Sequence, residues 1–503
     1  VYKGLIGYRD DYVEHIQNGR CTCTYNQPVP CVSLCPAHVD IPGYIALVGE
    51  GRYADAIRLL RKDNPFPTTC GFICEHPCEA RCRRNMVDDS INIRGLKRVA
   101  ADFAGEVDPP QCAPSTGKKI AILGGGPGGL SAAYYLQLMG HQTTVFEMLP
   151  KLGGMLRYGI PNYRLPKDRL DEDIQAILET GVQVEFGKRI GKDITIQSLR
   201  QEYDAVLISI GASTDKKLGI EGEQAEGVIS AVSFLRDVGK DKSPDLTGQE
   251  VAVIGGGNVS MDAVRTAKRL GAKKVSIVYR RRTADMTALP AEIEGAVAEG
   301  IEVLTLKAPS RIETDENGHV SGIYVTPQMI SKIKDGRASV CPTGEEDFLI
   351  PCQTLIVAIG QDIESEHFAE AGVPVSRGKI MTERYGGFDN IPGVFAGGDC
   401  ASGPASVIKA IAAAKVVAAN IDEYLGFHHI ISCDVEIPEP RLSDREPCGR
   451  VELTEREACS RVCDFEGVEN CMTEAEAKQE SYRCLRCDHF GYGIFKGGRK
   501  EKW

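Results

Sequence analysis

Apolar and polar positions fall along this chain in blocks, and one block sets the frame for the rest. Residues 118–147 read KKIAILGGGPGGLSAAYYLQLMGHQTTVFE: an apolar run, a glycine turn, a small-residue segment and a second apolar run that ends on an acid. Short apolar runs bounded by glycine predict buried parallel strands, and the segment between them predicts a crossover helix. The pattern returns in VAVIGGG at 251–257, a helix over 258–270 and a strand over 275–279. Further strand-like runs are AVLISIG at 205–211, TLIVAIGQ at 354–361 and GVFAGGD at 393–399, the last followed by a small-residue helix from Pro404. Nearer the start, Ile45, Leu47, Val48, Ala56, Ile57 and Leu60 give helical spacing to a stretch from 42 to 61.

The glycines give these blocks a chemistry. Gly124, Gly126 and Gly129, with Pro127 among them, fit a dinucleotide fingerprint: one for the tight turn, one for backbone approach to a pyrophosphate, one for close helix–strand packing. Glu147 then stands where a carboxylate accepts ribose hydroxyls. The second unit has Gly255, Gly257, Asn258 and Val259 at its turn, Ser260 at the third glycine position, and Arg280, Arg281 and Arg282 where the first unit has its acid. Cations there suit a 2′-phosphate, and the missing carboxylate removes the usual ribose partner of NAD, so the second unit is expected to bind NADPH, with Gly360 nearby. After the first unit, LGGMLRYGIPNYRLPK at 152–167 is too punctuated for a regular element and reads as a loop folded against a ligand through Gly154, Met155, Arg157, Ile160 and Arg164. Gly211, Gly398, Asp399, Ala405 and Ser406 complete that ligand's set. Asp399 is placed to hydrogen-bond a ribityl chain, and the helix after it to set its positive end against an anionic ring.

Length and charge narrow the class. The 503 residues suffice for two or three domains, and a net charge of −11 argues against a nucleic-acid binder, leaving small molecules and proteins as partners. No apolar stretch has membrane-span length, and Asp10, Asp11 and Glu14 stand where a signal peptide needs apolar residues; a cytoplasmic protein is expected. Most of the 19 cysteines crowd the two ends, which points to metal at both. Cys21, Cys23, Cys31 and Cys35 precede Cys70, Cys74, Cys78 and Cys82, whose x3 spacing sets thiolates on successive turns. The C-x3-C-P pair at Cys31 and Cys35 is like iron–sulfur ligation, and eight thiolates suffice for two four-iron clusters. Zinc is disfavoured there because its structural sites pair C-x2-C knuckles. In the tail, the Cys484–Cys487 knuckle is the strongest metal signal, with Cys459, Cys463 and Cys471 as completions; that spacing suits zinc and iron–sulfur equally. The terminal FGYGIFKGGRKEKW reads as a partner dock or a frayed tail.

The order of a cysteine-rich helical segment, GGGPGGL, LGGMLRYGIPNYRLPK, GGGNVSMD and AGGDC resembles the beta subunit of NADPH-dependent glutamate synthase and its relatives. Among these are the large subunit of bifurcating ferredoxin:NADP transhydrogenase and the amino-terminal half of dihydropyrimidine dehydrogenase. The resemblance spans roughly residues 20–430 and implies FAD on the first unit, NADPH on the second and two 4Fe-4S clusters in the helical segment. It implies a first cluster on Cys21, Cys23, Cys31 and Cys82, and a second on Cys35, Cys74 and Cys78 with a glutamine or glutamate. This chain departs from the pattern: it has C-x-C-x7-C where relatives have C-x2-C-x4-C, and residues 91–98, INIRGLKR, hold neither glutamine nor glutamate. Cys70 is the candidate to fill the vacancy.

The expected fold is α/β: a helical iron–sulfur domain at 1–111, an FAD domain at 112–248 and 353–430 interleaved with an NADPH domain at 249–352, and a cysteine-rich extension at 431–503 for metal or partner docking. Pro109, Pro110 and Pro114 mark the first linker. The expected activity is electron transfer between NADPH and a partner chain through FAD and the clusters. The cysteines beyond 430 favour a transhydrogenase, hydrogenase or formate dehydrogenase partner carrying flavin or iron–sulfur centres, or ferredoxin, over a glutamate-forming alpha chain. The rivals are a self-contained NADPH reductase of metals or quinones and a cofactor-bearing scaffold.

Overall fold

The computed structural model describes residues 29–334, 337–383, 386–440 and 448–490. Cys21, Cys23, the acids at 10, 11 and 14 and the run 491–503 lie outside the described residues. Short helices build the first region: α1 (Pro30–Leu34), α2 (Ile41–Gly49), α3 (Tyr53–Asp63), α4 (Pro67–Ile73), α5 (Pro77–Ala80) and α6 (Ile93–Phe103). Prolines open α1, α4 and α5, at the position where a helix has no use for an N–H donor. The stretch expected as one helical spacer is two helices, because Gly51 takes φ +71°, a left-handed turn that ends α2.

The strands that follow are β1 (Lys119–Leu123), β2 (Gln142–Glu147), β3 (Gln183–Phe186), β4 (Ala205–Ile208), β5 (Val228–Ser230), β6 (Glu250–Ile254) and β7 (Lys274–Tyr279). Then come β8 (Glu302–Thr305), β9 (Lys307–Thr314), β10 (Val320–Lys334), β11 (Arg337–Pro342), β12 (Phe348–Pro351), β13 (Thr354–Val357) and β14 (Val394–Ala396). They form two parallel sheets of one design, β14–β4–β1–β2–β3 and β5–β13–β6–β7–β8, each with its glycine-turn strand in the middle. Ile120 pairs with both Thr143 and Ala205, and Val251 with both Val275 and Thr354. A strand flanked and covered on every side needs branched apolar residues throughout, which is why β1 and β6 read KIAIL and EVAVI. The antiparallel sheet β9–β10–β11, with β12 also on β10, is inserted in the second unit.

The domain boundaries differ from the expectation. β13 pairs with β5 and β6, so the run at 354–361 lies in the second sheet and only β14 returns to the first; β5 has likewise already crossed over. A buried apolar run reads the same in either sheet, so sequence pattern could not assign it.

The principal helices are α7 (Pro127–Leu138), α8 (Met155–Tyr158), α9 (Lys167–Leu178), α10 (Asn258–Arg269), α11 (Pro290–Ala298), α12 (Val407–Tyr424), α13 (Ala458–Arg461), α14 (Glu474–Tyr482) and α15 (Cys487–Phe490). One core joins the helical region to the first sheet and the tail, through Tyr44, Leu60 and Cys70, then Leu130, Tyr135 and Ile411, then Met472 and Ala477. At about 1.5–3 kcal/mol per large apolar side chain, that seam is costly to open. The second sheet keeps separate cores, with Val253, Met261 and Ile277 on one face and Ile254, Val278 and Ile323 on the other. The tail straps over all three regions: Arg450 pairs with Glu79 at 3.0 Å, Arg461 with Glu299 at 2.9 Å, and Glu469 with Arg94 at 2.9 Å, while Val468 N donates to Tyr163 O at 3.0 Å.

Candidate cofactor sites

At the end of β1, Gly124 takes φ +110°, and a Cβ there would run into the Ser209 carbonyl; one on Gly129 would run into the carbonyl of Gly124. Gly126 is different. Its Cβ would meet only Gly154 Cα, at 3.8 Å, and Gly154 itself has φ +51°. Two bare stretches of backbone therefore face each other across space that side chains would fill, a cradle that fits a pyrophosphate at the start of α7. Glu147, 6% exposed at the end of β2, accepts from Gly125 N at 2.8 Å and Leu149 N at 2.7 Å. Burial raises its pKa, and those N–H groups oppose the rise. Because the first sheet is parallel, Gly211 after β4 and Gly398 and Asp399 after β14 reach the same edge. Burial pushes Asp399 up to about 6, against a bond from Ala405 N. Ser406 caps α12 without a side-chain bond, leaving the helix's first N–H groups uncapped by it.

Two residues expected at the FAD have other partners. Arg157 donates from Nε to Leu152 O at 2.5 Å and pairs with Asp171; Arg164 pairs with Asp262 and Glu292 of the second unit, each at 2.9 Å. A buried guanidinium needs carboxylates, and these bonds tie the 152–167 segment and the two units together. Met155 opens the single turn α8, and Ile160 packs against the main core. Sequence reading missed Lys167, whose Nζ donates to Leu156 O at 3.1 Å and Ile160 O at 2.5 Å. Burial pulls it down to about 7, and Arg157 adds to the fall.

In the second unit, a Cβ on Gly255 would strike the Ala358 carbonyl at the end of β13, close to Gly360. Asn258 accepts from Leu289 N at 3.0 Å and donates to Glu75 of the helical region at 3.2 Å, and Val259 packs against the unit's core. Ser260 Oγ is buried without a partner among the described residues. The three arginines separate. Arg282 makes two bonds to Asp285, at 2.8 and 3.0 Å, and Arg281 uses Nε on Ala338 O at 3.0 Å. Arg280 is exposed and has no hydrogen bond or ion pair among the described residues.

The cysteines form two sets. Cys35, Cys70, Cys74 and Cys78 lie within electrostatic reach of the buried Lys97; burial works against its charge, and those four thiols hold its pKa up nonetheless. Lys97 comes from the 91–98 segment that lacks glutamine and glutamate; as an ammonium it offers countercharge to thiolates in place of a ligand. Its position seven residues before Ala104 and four after Ile93, on the apolar face of α6, was the signal that sequence reading passed over. Asn64 Nδ2 and Tyr135 Oη lie buried without partners among the described residues, and Tyr135, on α7, is within electrostatic reach of Cys70 and Cys35. Unsatisfied donors beside four thiols fit a cluster, whose sulfides accept hydrogen bonds.

In the other set, Cys31, Cys82, Cys484 and Cys487 line one cleft with Ile41, Ile45 and Ile93. The tail cysteines expected as one site are thereby divided among three places. Cys459 and Cys463 are exposed near the second unit, Cys471 interacts with Asp102, and only Cys484 and Cys487 stay together. The tail is a strap, so nearness in sequence does not become nearness in space.

No helix among the described residues is long and apolar enough to cross a membrane. The family model for pyridine nucleotide-disulphide oxidoreductases matches residues 118–414, and the model for dihydropyrimidine dehydrogenase domain II, 4Fe-4S cluster, matches residues 8–108. The chain is 37% identical to NADP(+)-dependent formate dehydrogenase subunit beta of Moorella thermoacetica, covering 93% of this chain and 72% of that one. It is 34% identical to NADPH-Fe(3+) oxidoreductase subunit beta of Geobacter sulfurreducens, covering 97% and 80%. It is 32% identical to the glutamate synthase (NADPH) small chain of Escherichia coli K12, covering 78% and 88%. Among solved structures, FprA of Mycobacterium tuberculosis in complex with NADPH shares the fold of 62% of this chain and 85% of its own, with a TM-score of 0.53 and 23% identity.

Proposed function

Because this chain belongs to the pyridine nucleotide-disulphide oxidoreductase family, with a dihydropyrimidine dehydrogenase-type 4Fe-4S domain ahead of it, we infer that it is the NADPH-handling subunit of a larger redox complex. The chain is an NADPH-dependent flavoprotein oxidoreductase with iron–sulfur chemistry. FAD held by the first unit would supply the exchange between a hydride from NADPH and single electrons for iron–sulfur clusters. The residues supply binding and charge. Gly126 and Gly154 admit the pyrophosphate, Glu147 holds the ribose, and Asp399 with the start of α12 faces the flavin side of the site. Arg280, assisted by Arg281, holds the 2′-phosphate, while Arg282 is retained by Asp285. Lys97 balances the charge of Cys35, Cys70, Cys74 and Cys78, with Cys70 as the fourth ligand.

The observation that carries this reading is the shared core. Tyr135 on the flavin-binding helix lies within electrostatic reach of Cys70 and Cys35, with no domain gap between them. The partner is a subunit of the formate dehydrogenase or Fe(3+) reductase type. In support, the two matches at 93% and 97% coverage must include tail residues, whereas the glutamate synthase small chain matches 78%.

The test uses the reconstituted full chain with a one-electron dye. NADPH should bleach the flavin and reduce the dye, and Cys74→Ala should keep the bleaching while slowing dye reduction at least about tenfold, as expected when the path to the surface is cut. Full dye reduction by the variant would overturn the path, and absence of flavin bleaching in the parent chain would overturn the function.

A further inference from the structure

We propose that Cys31, Cys82, Cys484 and Cys487 ligate one 4Fe-4S cluster, so that the carboxy-terminal C-x2-C knuckle completes a site on the amino-terminal domain. The proposal rests on the reading of this chain as an iron–sulfur protein and names a ligand set that local spacing hides. Four thiols from α1, the loop after α5 and both ends of the knuckle line one cleft.

The size of the set selects the metal. A tetrahedral zinc with bonds of ~2.3 Å holds its sulfurs about 3.8 Å apart. Among the described residues, the only histidine, cysteine or acidic groups of three or more with ligand atoms all within 4.8 Å of one another are His141, Asp422 and His429. No three of the cleft's thiols therefore stand within 4.8 Å of one another, as one zinc would hold them, and a four-iron cube grips its sulfurs more widely. Arg83 and Arg84 line the same cleft, placing cations beside a group that carries net negative charge when held by four thiolates.

The knuckle is seated, not adrift. Arg483 is 2% exposed and bonds Glu480 at 2.7 Å and Asp88 at 3.0 Å, and Glu480 accepts from Asn92 N at 2.7 Å and Val451 N at 2.8 Å. Between the two cysteines, Arg486 takes φ +49°, bonds Asp488 at 3.1 and 3.0 Å and donates to Pro438 O at 2.9 Å. A non-glycine residue kept in the left-handed region is strained, and the surrounding bonds hold it there. His76, between Cys74 and Cys78, also takes a positive φ, +40°, with its Nδ1 3.0 Å from Cys74 O.

Two measurements test the assignment on the full reconstituted chain. In the first, Cys484→Ala/Cys487→Ala should lose one cluster's iron and acid-labile sulfide and one signal from the reduced protein's paramagnetic resonance spectrum, with flavin content unchanged. Cys21→Ala/Cys23→Ala should keep both. Unchanged iron, sulfide and spectrum in the first variant, or loss only in the second, would overturn the proposal. In the second, needing no variant, thiol alkylation is mapped before and after oxidative removal of the clusters. Cys31, Cys82, Cys484 and Cys487 should be protected together and exposed together; alkylation of Cys484 and Cys487 while both clusters are retained would overturn it. A chain that takes up no iron and sulfide at all would refute the function proposed above, whereas clusters held without Cys484 and Cys487 would refute only this ligand set.

Discussion

The two nucleotide units share the order of four strands around a central glycine turn, yet they are attached to the molecule in opposite ways. The first sheet is fused to the helical region and the tail through one apolar core, so the first glycine turn and the cysteines stand at a fixed separation. The second keeps its own cores and meets its neighbours through ions: Arg164 on Asp262 and Glu292, and Glu299 holding Arg265, Arg269 and Arg461 at 2.7, 2.6 and 2.9 Å. Single-electron steps between fixed centres are served by an apolar seam that does not adjust. A unit that takes up and releases a soluble nucleotide is served by polar contacts that can re-form.

The largest effect should come from the ionic seam. Glu299→Gln leaves three buried guanidiniums without their shared carboxylate and should cost about 3–5 kcal/mol in denaturant unfolding, with the tail cut sooner by protease. Burial works to raise the Glu299 carboxyl, but bonds from Arg269 and Arg265 bring it down to about 2. Its folded value lies below its ordinary 4.5, so its contribution is complete above that pH and is lost as pH falls toward 2. A parent chain with flat stability across that interval, or a variant that keeps the slope, would remove the ionic account of the seam.

Next is the charge that distinguishes the units. Arg280→Ala should raise KM for NADPH about 10- to 100-fold at unchanged kcat, the loss of one charge-assisted contact worth roughly 1.5–3 kcal/mol, and leave NADH untouched. Equal effects from Arg282→Ala would mean that the ion pair with Asp285 does not withhold Arg282 from the phosphate. In the flavin unit, Gly129→Val should drive a side chain into the Gly124 carbonyl, release FAD on desalting and cost about 1–3 kcal/mol. Smallest is Ser260→Gly, at the matching position of the second unit, where NADPH binding should persist and stability fall by no more than about 1 kcal/mol. Loss of NADPH binding there would show that the unpartnered Ser260 hydroxyl serves the ligand as well as the packing.

Both glycine turns, their strands and the opposed acid and arginines were legible in the sequence, because each is a local pattern whose parts lie within thirty or so residues. The assignment of β13 was not, since TLIV satisfies either sheet. Arg157 and Arg164 looked like ligands because the sequence around them is irregular; only Asp171, Asp262 and Glu292, brought up by folding, show where their charge goes. The cysteines show the limit most clearly. Cys484 reads as the start of a tail knuckle, and its nearness to Cys31 is a product of α14 lying against α2 and α6. Lys97, by contrast, carried a readable sign: a cation at an apolar position of α6.

The direct measurement of the central claim is anaerobic mixing of the reconstituted chain with NADPH, followed by flavin absorbance and by paramagnetic resonance of frozen samples. The flavin should bleach first and signals of reduced clusters should then rise in the same molecules, with Cys74→Ala retaining the first phase and losing part of the second. Flavin that bleaches completely while every cluster stays oxidised, or clusters reduced at full rate in protein stripped of FAD, would contradict it.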